Sequence, residues 1–212
     1  MFAPLNLKGM VLSQTPVGDY DRRLVLLTRE RGKITAFARG ARRANSPLMG
    51  ATQPFCMGSF SVTEGRDYYR LSQAEITEHF EEIRLDFEAT CYGCYFLEWA
   101  DYYGREFIEA KETLNLLWQS LRALLNTAIP NSLVRIVFEV RIMAINGENP
   151  EPEGEGRNVS TVYTLDYAAH APLEKLYRFV VTPEVEAELR DILDRHIARV
   201  VDRRFRSLEL LI

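Results

Sequence analysis

Eight basic side chains crowd residues 22–43: Arg22, Arg23, Arg29, Arg31, Lys33, Arg39, Arg42 and Arg43, against one acid, Glu30. A guanidinium offers a planar fork of donors that matches a phosphate. A net charge of +7 in one short stretch exceeds what solubility asks for, although a solubilising loop between strands is the competing reading. The densest part is Arg39-Gly40-Ala41-Arg42-Arg43, where small residues permit close backbone approach. Aromatic rings are interleaved with these charges: Phe37 shares a period-2 face with Lys33 and Arg39, and Tyr68 lies between Arg66 and Arg70. Cations for phosphates and rings for bases are what a single-strand nucleic-acid site needs. The expected contact set is Arg22, Arg23, Arg29, Lys33, Phe37, Arg39, Arg42, Arg43, Tyr68 and Arg70. These residues do not by themselves tell DNA from RNA.

Other chemistry has weaker support. Cys91-Tyr92-Gly93-Cys94 is a C-x-x-C, but zinc takes four ligands, usually from two such pairs. Cys56 is the only other cysteine, and His79, His170 and His196 are scattered. On a helix the two thiols simply share a face, so core thiols and no bound metal are expected. The acid pairs Glu81-Glu82 and Asp191/Asp194 read as solvated faces, and the run Glu151/Glu153/Glu155 as a surface loop. No phosphate-binding glycine loop, dinucleotide fingerprint or nucleophile elbow occurs. Neither catalysis nor a cofactor is expected.

The elements that must position these residues change character near residue 80. Before it, five short segments rich in β-branched and aromatic residues are separated by turn signals such as Pro16-Val17-Gly18-Asp19, Arg31-Gly32 and Gly65-Arg66-Asp67. Alternation across Lys33–Arg39 puts Ile34, Ala36 and Ala38 on one face of a strand. Five strands in about 75 residues suit a small closed barrel, OB-fold or SH3-like. After residue 80 the period is helical: Tyr92, Tyr95, Phe96, Trp99 and Tyr103 form one stripe, a seam between helices rather than a stacking platform. Asn131–Ile145 reads as a buried central helix with Asn131 as its N-cap. Residues 146–158, with four Glu, two Pro and three Gly, read as a flexible acidic loop, and VSTVYTLDY as a short extended piece. Thr182-Pro183 starts a last helix that runs to about Val201.

The whole chain has 212 residues, 47% hydrophobic and 26% charged, ordinary for a globular protein. Its net charge of −4 splits into +4 over residues 1–80 and −8 over 81–212. Three cysteines cannot frame a disulfide scaffold. No long apolar run and no cleavable leader pattern is visible. A cytoplasmic protein with no membrane contact is expected.

The chain resembles the bacterial RecO family of DNA repair and recombination mediators. The resemblance is carried by Gly18-Asp19-Tyr20-Asp21, Thr28-Arg29-Glu30-Arg31-Gly32, Ala38-Arg39-Gly40-Ala41-Arg42-Arg43 with Ser46, and Gln53-Pro54-Phe55. Leu71 with Ala74-Glu75, the Phe96-Leu97-Glu98 helix, Phe138–Ile145 ending at Asn146-Gly147, and Arg203–Leu208 add support. It implies an α+β protein: an OB-fold over residues 1–79 packed on a mostly helical domain over 80–212. It also implies binding of single- and double-stranded DNA, strand annealing, and partnership with RecR and the single-strand-binding protein, with RecA loaded indirectly at the nucleoid. Many members carry a four-cysteine zinc site after the central helix. Here that region, Glu148–Arg157, has neither cysteine nor histidine, so no zinc is expected.

The expected function is therefore non-enzymatic DNA binding in recombinational repair. The rivals are an RNA-binding or ribosome-associated OB-fold protein and a small enzyme with an acidic site in the helical half. Arg122, Arg135 and Arg141, set on apolar helices, are candidate cations for the acidic tail of the single-strand-binding protein, beside an alternative in which they only make ion pairs between helices.

Overall fold

The structure, a computed structural model, describes residues 3–151 and 158–211. Five strands run β1 (Leu5–Val17), β2 (Asp21–Thr28), β3 (Gly32–Ala38), β4 (Met57–Glu64) and β5 (Tyr69–Glu78), with a one-turn helix α1 (Leu48–Ala51) between β3 and β4. They close into a barrel in the order β1-β2-β3-β5-β4. All pairings are antiparallel except β3 with β5. This is the OB-fold, which resolves the choice that strand counting left open. Alternation fills the interior: Leu24, Leu26, Ile34, Ala36, Ala38, Phe60 and Val62 are buried, while Lys33, Thr35 and Phe37 point outward. Full burial of such apolar side chains contributes about 1.5–3 kcal/mol each for the larger ones.

Helices follow: α2 (Glu81–Leu85), α3 (Phe87–Tyr103), α4 (Lys111–Leu124), α5 (Asn131–Ile145), α6 (Val159–His170) and α7 (Pro183–Val200). The chain divides into two compact units, residues 1–81 with 100–114, and residues 82–99 with 115–212. The barrel's unit thus includes a stretch that the sequence places in the helical half. Gly32 explains how. Its φ is +65°, and a Cβ there would stand 2.0 Å from the Arg105 carbonyl oxygen. Only a residue without a side chain lets the 105–110 backbone lie against the β2–β3 hairpin. Lys33 N donates to Arg105 O (3.1 Å), Phe107 N to Arg31 O (2.8 Å) and Ala110 N to Arg29 O (3.1 Å). This stretch is called the strap below.

In the helical unit, Phe96 and Trp99 are fully buried and Phe96 stacks on Phe138 of α5 at 4.1 Å, so the aromatic stripe is a seam. Cys91 is buried and Cys94 half-buried beside it. Burial pushes both thiols up, Cys94 to about 11. A carboxylate ties three helices together. Glu139, fully buried on α5, accepts from Tyr95 Oη of α3 (2.5 Å), Arg135 Nε (2.8 Å) and Arg190 Nη2 of α7 (2.6 Å).

Two local expectations need correction. Residues 159–167 are helical, not extended: Asn158 Oδ1 accepts from Ser160 N at 2.8 Å and starts α6. Such capping together with packing overrides the β preference of Val, Thr and Tyr. The cap of α5 is Pro130, and Asn131 is its first helical residue, with Nδ2 donating to Glu88 at 3.1 Å. Thr182 caps α7 as expected, its hydroxyl accepting from Val185 N at 3.5 Å. Residues 152–157 of the acidic loop, and with them most of the expected zinc-free segment, lie outside the described residues.

Candidate nucleic-acid interface

The outer face of the barrel carries a row that crosses three strands. Register places Arg23 of β2 opposite Phe37 of β3, and Phe37 beside Arg70 of β5. Neighbouring strands are about 4.8 Å apart, so the ring sits between two exposed guanidinium side chains. Tyr68, in the β4–β5 loop, is 38% exposed and meets Phe37 with ring centroids 4.5 Å apart and planes at 52°. Its neighbour Tyr69 is buried, so one ring of the pair faces out and the other in. Burial first, then Glu64 and Glu106, hold the Tyr69 phenol above its ordinary pKa.

Beside the row lies a groove of about 580 Å³. β5 pairs with β3 only along Ala36–Ala38, and the groove opens where that ladder stops. Its floor is the outer face of β2 and β3, including Arg23, Val25 and Thr35. One wall is the β4–β5 loop with Arg66 and Tyr68; the other is the strap with Arg105 and Phe107. In OB-folds the β2–β3 face and this loop are the usual ligand surface.

A second basic patch forms where two distant stretches meet. Gly40 N donates to Asp21 Oδ1 (2.8 Å), Arg42 N to Tyr20 O (2.8 Å) and Arg42 Nη1 to Gly18 O (3.0 Å). The Arg43 guanidinium lies 5.1 Å from the centre of the Tyr20 ring. Gly40 takes φ +65° to make this turn. Arg39, Arg42 and Arg43 are all exposed.

Three residues of the expected contact set are otherwise engaged. Arg22 is buried; its Nη1 donates to Met49 O (2.7 Å) and Thr52 Oγ1 (2.5 Å). Burial, then the nearby Arg42 charge, lowers its pKa. It holds α1 and is not a surface cation. Lys33 Nζ donates to Asp101 O (2.5 Å) and pairs with Asp101 Oδ1 (3.2 Å), and Arg29 pairs with Glu109 at 3.9 Å. Arg29 thus faces the strap, and Lys33 the last turn of α3. Arg31 likewise lies over the Phe107 ring at 5.6 Å. The exposed remainder is Arg23, Arg39, Arg42, Arg43, Tyr68 and Arg70, with Phe37 half-buried among them. Arg66, Arg105 and Phe107 of the groove were outside the expected set.

In the helical unit Arg135 is committed to Glu139 and lies over Tyr95 at 5.3 Å, and Arg141 donates to Ala171 O. Both guanidinium groups thus make contacts within the helical unit, as the ion-pair alternative expects for Arg135. Arg122 is exposed and lies 4.9 Å over Trp118. Among the described residues no cluster of three or more His, Cys, Asp or Glu is arranged for a metal, and no helix is long and apolar enough to cross a membrane.

A closed OB barrel with a basic, ring-bearing face, joined to a helical unit, defines a two-part OB-fold protein. Family models described as Recombination protein O N terminal and Recombination protein O C terminal match residues 1–80 and 146–209. A protein named DNA repair protein RecO from Alkaliphilus metalliredigens is 28% identical over 97% of this chain and 98% of its own. One of the same name from Desulforudis audaxviator is 38% identical over 68% of this chain and 57% of its own. The relative from Clostridium perfringens strain 13 is 27% identical over 96% of this chain and 95% of its own. The chain belongs to the RecO family.

Proposed function

We propose that this protein is a non-enzymatic, DNA-binding mediator of recombinational repair. The observation that carries the reading is the row Arg23–Phe37–Arg70 with Tyr68 on the OB face, a set of cations and rings suited to phosphates and bases. The relatives' name, DNA repair protein RecO, supplies the process. In this reading residues 1–79 form the DNA-binding domain, and residues 80–212 the helical domain that meets protein partners. The protein binds single and double strands, anneals complementary ones, and works with RecR and the single-strand-binding protein so that RecA is loaded at the nucleoid. These partners come from the family resemblance.

The test is annealing of labelled complementary strands by the purified protein without nucleotide. Acceleration that falls when Arg23 and Arg70 are replaced by Ala supports the reading. Binding displaced equally well by RNA, with no annealing, favours the RNA-binding rival.

A further inference from the structure

The helical unit holds an apolar groove that DNA binding does not use. It lies between α6 and the residues that lead into α7, measures about 680 Å³, and falls wholly within that unit. One wall is a ladder of rings. Tyr163 and Tyr167 stack with centroids 6.1 Å apart, and Tyr167 meets Phe179 edge-on at 5.4 Å. Tyr167 Oη donates to Lys175 O at 3.1 Å, which holds the middle ring. Val159, Tyr163 and Val180 are 82%, 66% and 63% exposed, so apolar surface faces water along the groove.

The other wall is unpaired chain. Residues 179–182 are neither helical nor part of a sheet, and Thr182 is extended, with φ −71° and ψ 156°. Burial alternates as in a strand: Phe179 and Val181 are half-buried, Val180 and Thr182 exposed. Among the described residues, no hydrogen bond reaches the main chain of Phe179, Val180 or Val181. This is a strand edge with no strand beside it. An extended peptide satisfies such an edge through its own main chain and puts alternate side chains into the groove. A helix cannot, because its N–H and C=O groups are already used within it. Charge then selects the peptide. Residues 158–188 carry five acids, Asp166, Glu174, Glu184, Glu186 and Glu188, against Lys175 and Arg178. Asp166 and Glu184 are exposed, and each adjoins a lining residue in sequence. That surplus attracts a basic segment and repels an acidic one.

We propose that this groove docks an extended segment of a partner protein, added as a strand along residues 179–181, with apolar side chains at alternate positions and Lys or Arg among the rest. The proposal extends the reading of residues 80–212 as the part that meets protein partners, and it does not depend on the DNA contacts.

The test selects a displayed library of random twelve-residue peptides on the full chain, with counter-selection on the chain carrying Tyr163→Ser and Val180→Ser. Both side chains are mostly exposed, so this variant should melt within a degree or two of the wild type. Selected peptides are expected to alternate apolar and polar residues and to carry net positive charge. A synthetic copy of the commonest one is then N-methylated on one or the other alternate set of residues, and its binding is read by fluorescence anisotropy. One set should cost roughly 2–12-fold per lost hydrogen bond and the other should cost little, because only every second N–H of a strand points at its neighbour. No enrichment, acidic peptides, apolar residues at helical spacing, or equal losses from both sets would overturn the proposal. So would self-association of the chain that Val180→Ser abolishes, since a second copy would then be the occupant. Peptide binding is read without DNA, so its failure leaves the annealing result standing, and failed annealing leaves the groove standing.

Discussion

Arg22 Nη1 donates to the Thr52 hydroxyl at 2.5 Å, across 30 residues of chain, inside the barrel's unit. The next residue, Arg23, stands exposed on the outer face. Two adjacent arginines therefore do opposite work. Arg22→Ala leaves the Thr52 hydroxyl and Met49 carbonyl without this donor, and should cost about 1–3 kcal/mol of stability. Arg23→Ala should leave the thermal midpoint within a degree or two and weaken DNA binding. Thermal melts followed by circular dichroism, paired with binding titrations, check both. A melting loss in Arg23→Ala equal to that in Arg22→Ala would contradict the assignment.

The Arg39–Arg43 patch should appear in the salt dependence of binding. Each phosphate that the protein no longer neutralises flattens the slope of log affinity against log salt by about 0.7–0.9. Arg39→Ala is expected to do only this. Arg42→Ala should also lower stability, because Arg42 holds the Gly18 carbonyl. Titrations at several salt concentrations, for each variant separately, distinguish the two. An unchanged slope when Arg39, Arg42 and Arg43 are all replaced by Ala would remove the patch from the DNA path.

Alkaline pH should loosen the helical unit. Tyr95 is held well above its ordinary pKa, by burial first and by Glu139 second, and Tyr92 is raised by burial. A folded-state pKa raised above the unfolded value gives stability that is full below the unfolded pKa, about 10, and is lost as pH climbs beyond it. Thermal midpoints measured from pH 8 to 11 should fall increasingly steeply above pH 10. Tyr95→Phe should be less stable at pH 8, since Glu139 loses a donor, yet show a shallower fall. An equally steep fall in that variant would place the titration elsewhere.

The purified chain should contain far less than one zinc per molecule, and a chelator should leave its melting temperature unchanged. The basis is the sequence of Glu148–Arg157, which offers neither thiol nor imidazole. Cys94, with its thiol pushed up to about 11, should carry thiolate in roughly a thousandth of molecules at pH 8 and so alkylate slowly. Stoichiometric zinc by metal analysis would direct attention to Cys91, Cys94 and the histidines.

Much of the barrel was legible because its signals are local. Lys33–Ala38 alternates in sequence and alternates in burial, residue for residue. What stayed hidden depends on distant partners. Alternation puts Arg22 on the face of Leu24 and Leu26 and Arg23 on the other, but nothing in the order of residues names Thr52, 30 positions on, as the partner of Arg22. Likewise, the aromatic helix gives no sign that the chain beyond Gly104 returns to the hairpin at Gly32. Residues 159–167 misled for the opposite reason: their local β preference is real, and the helix is set by the Asn158 cap and by packing against α5 and α7.

The strap also has a consequence for the order in which the molecule is made. A ribosome delivers all five strands by residue 78, yet the groove has only one wall until residues 105–110 emerge. Between those moments a nascent barrel presents the Gly32–Lys33 edge with nothing docked on it. Its groove is walled on both sides only after α3 has been synthesised. The groove is therefore completed late, and a chain arrested before residue 105 would carry a barrel with half of it.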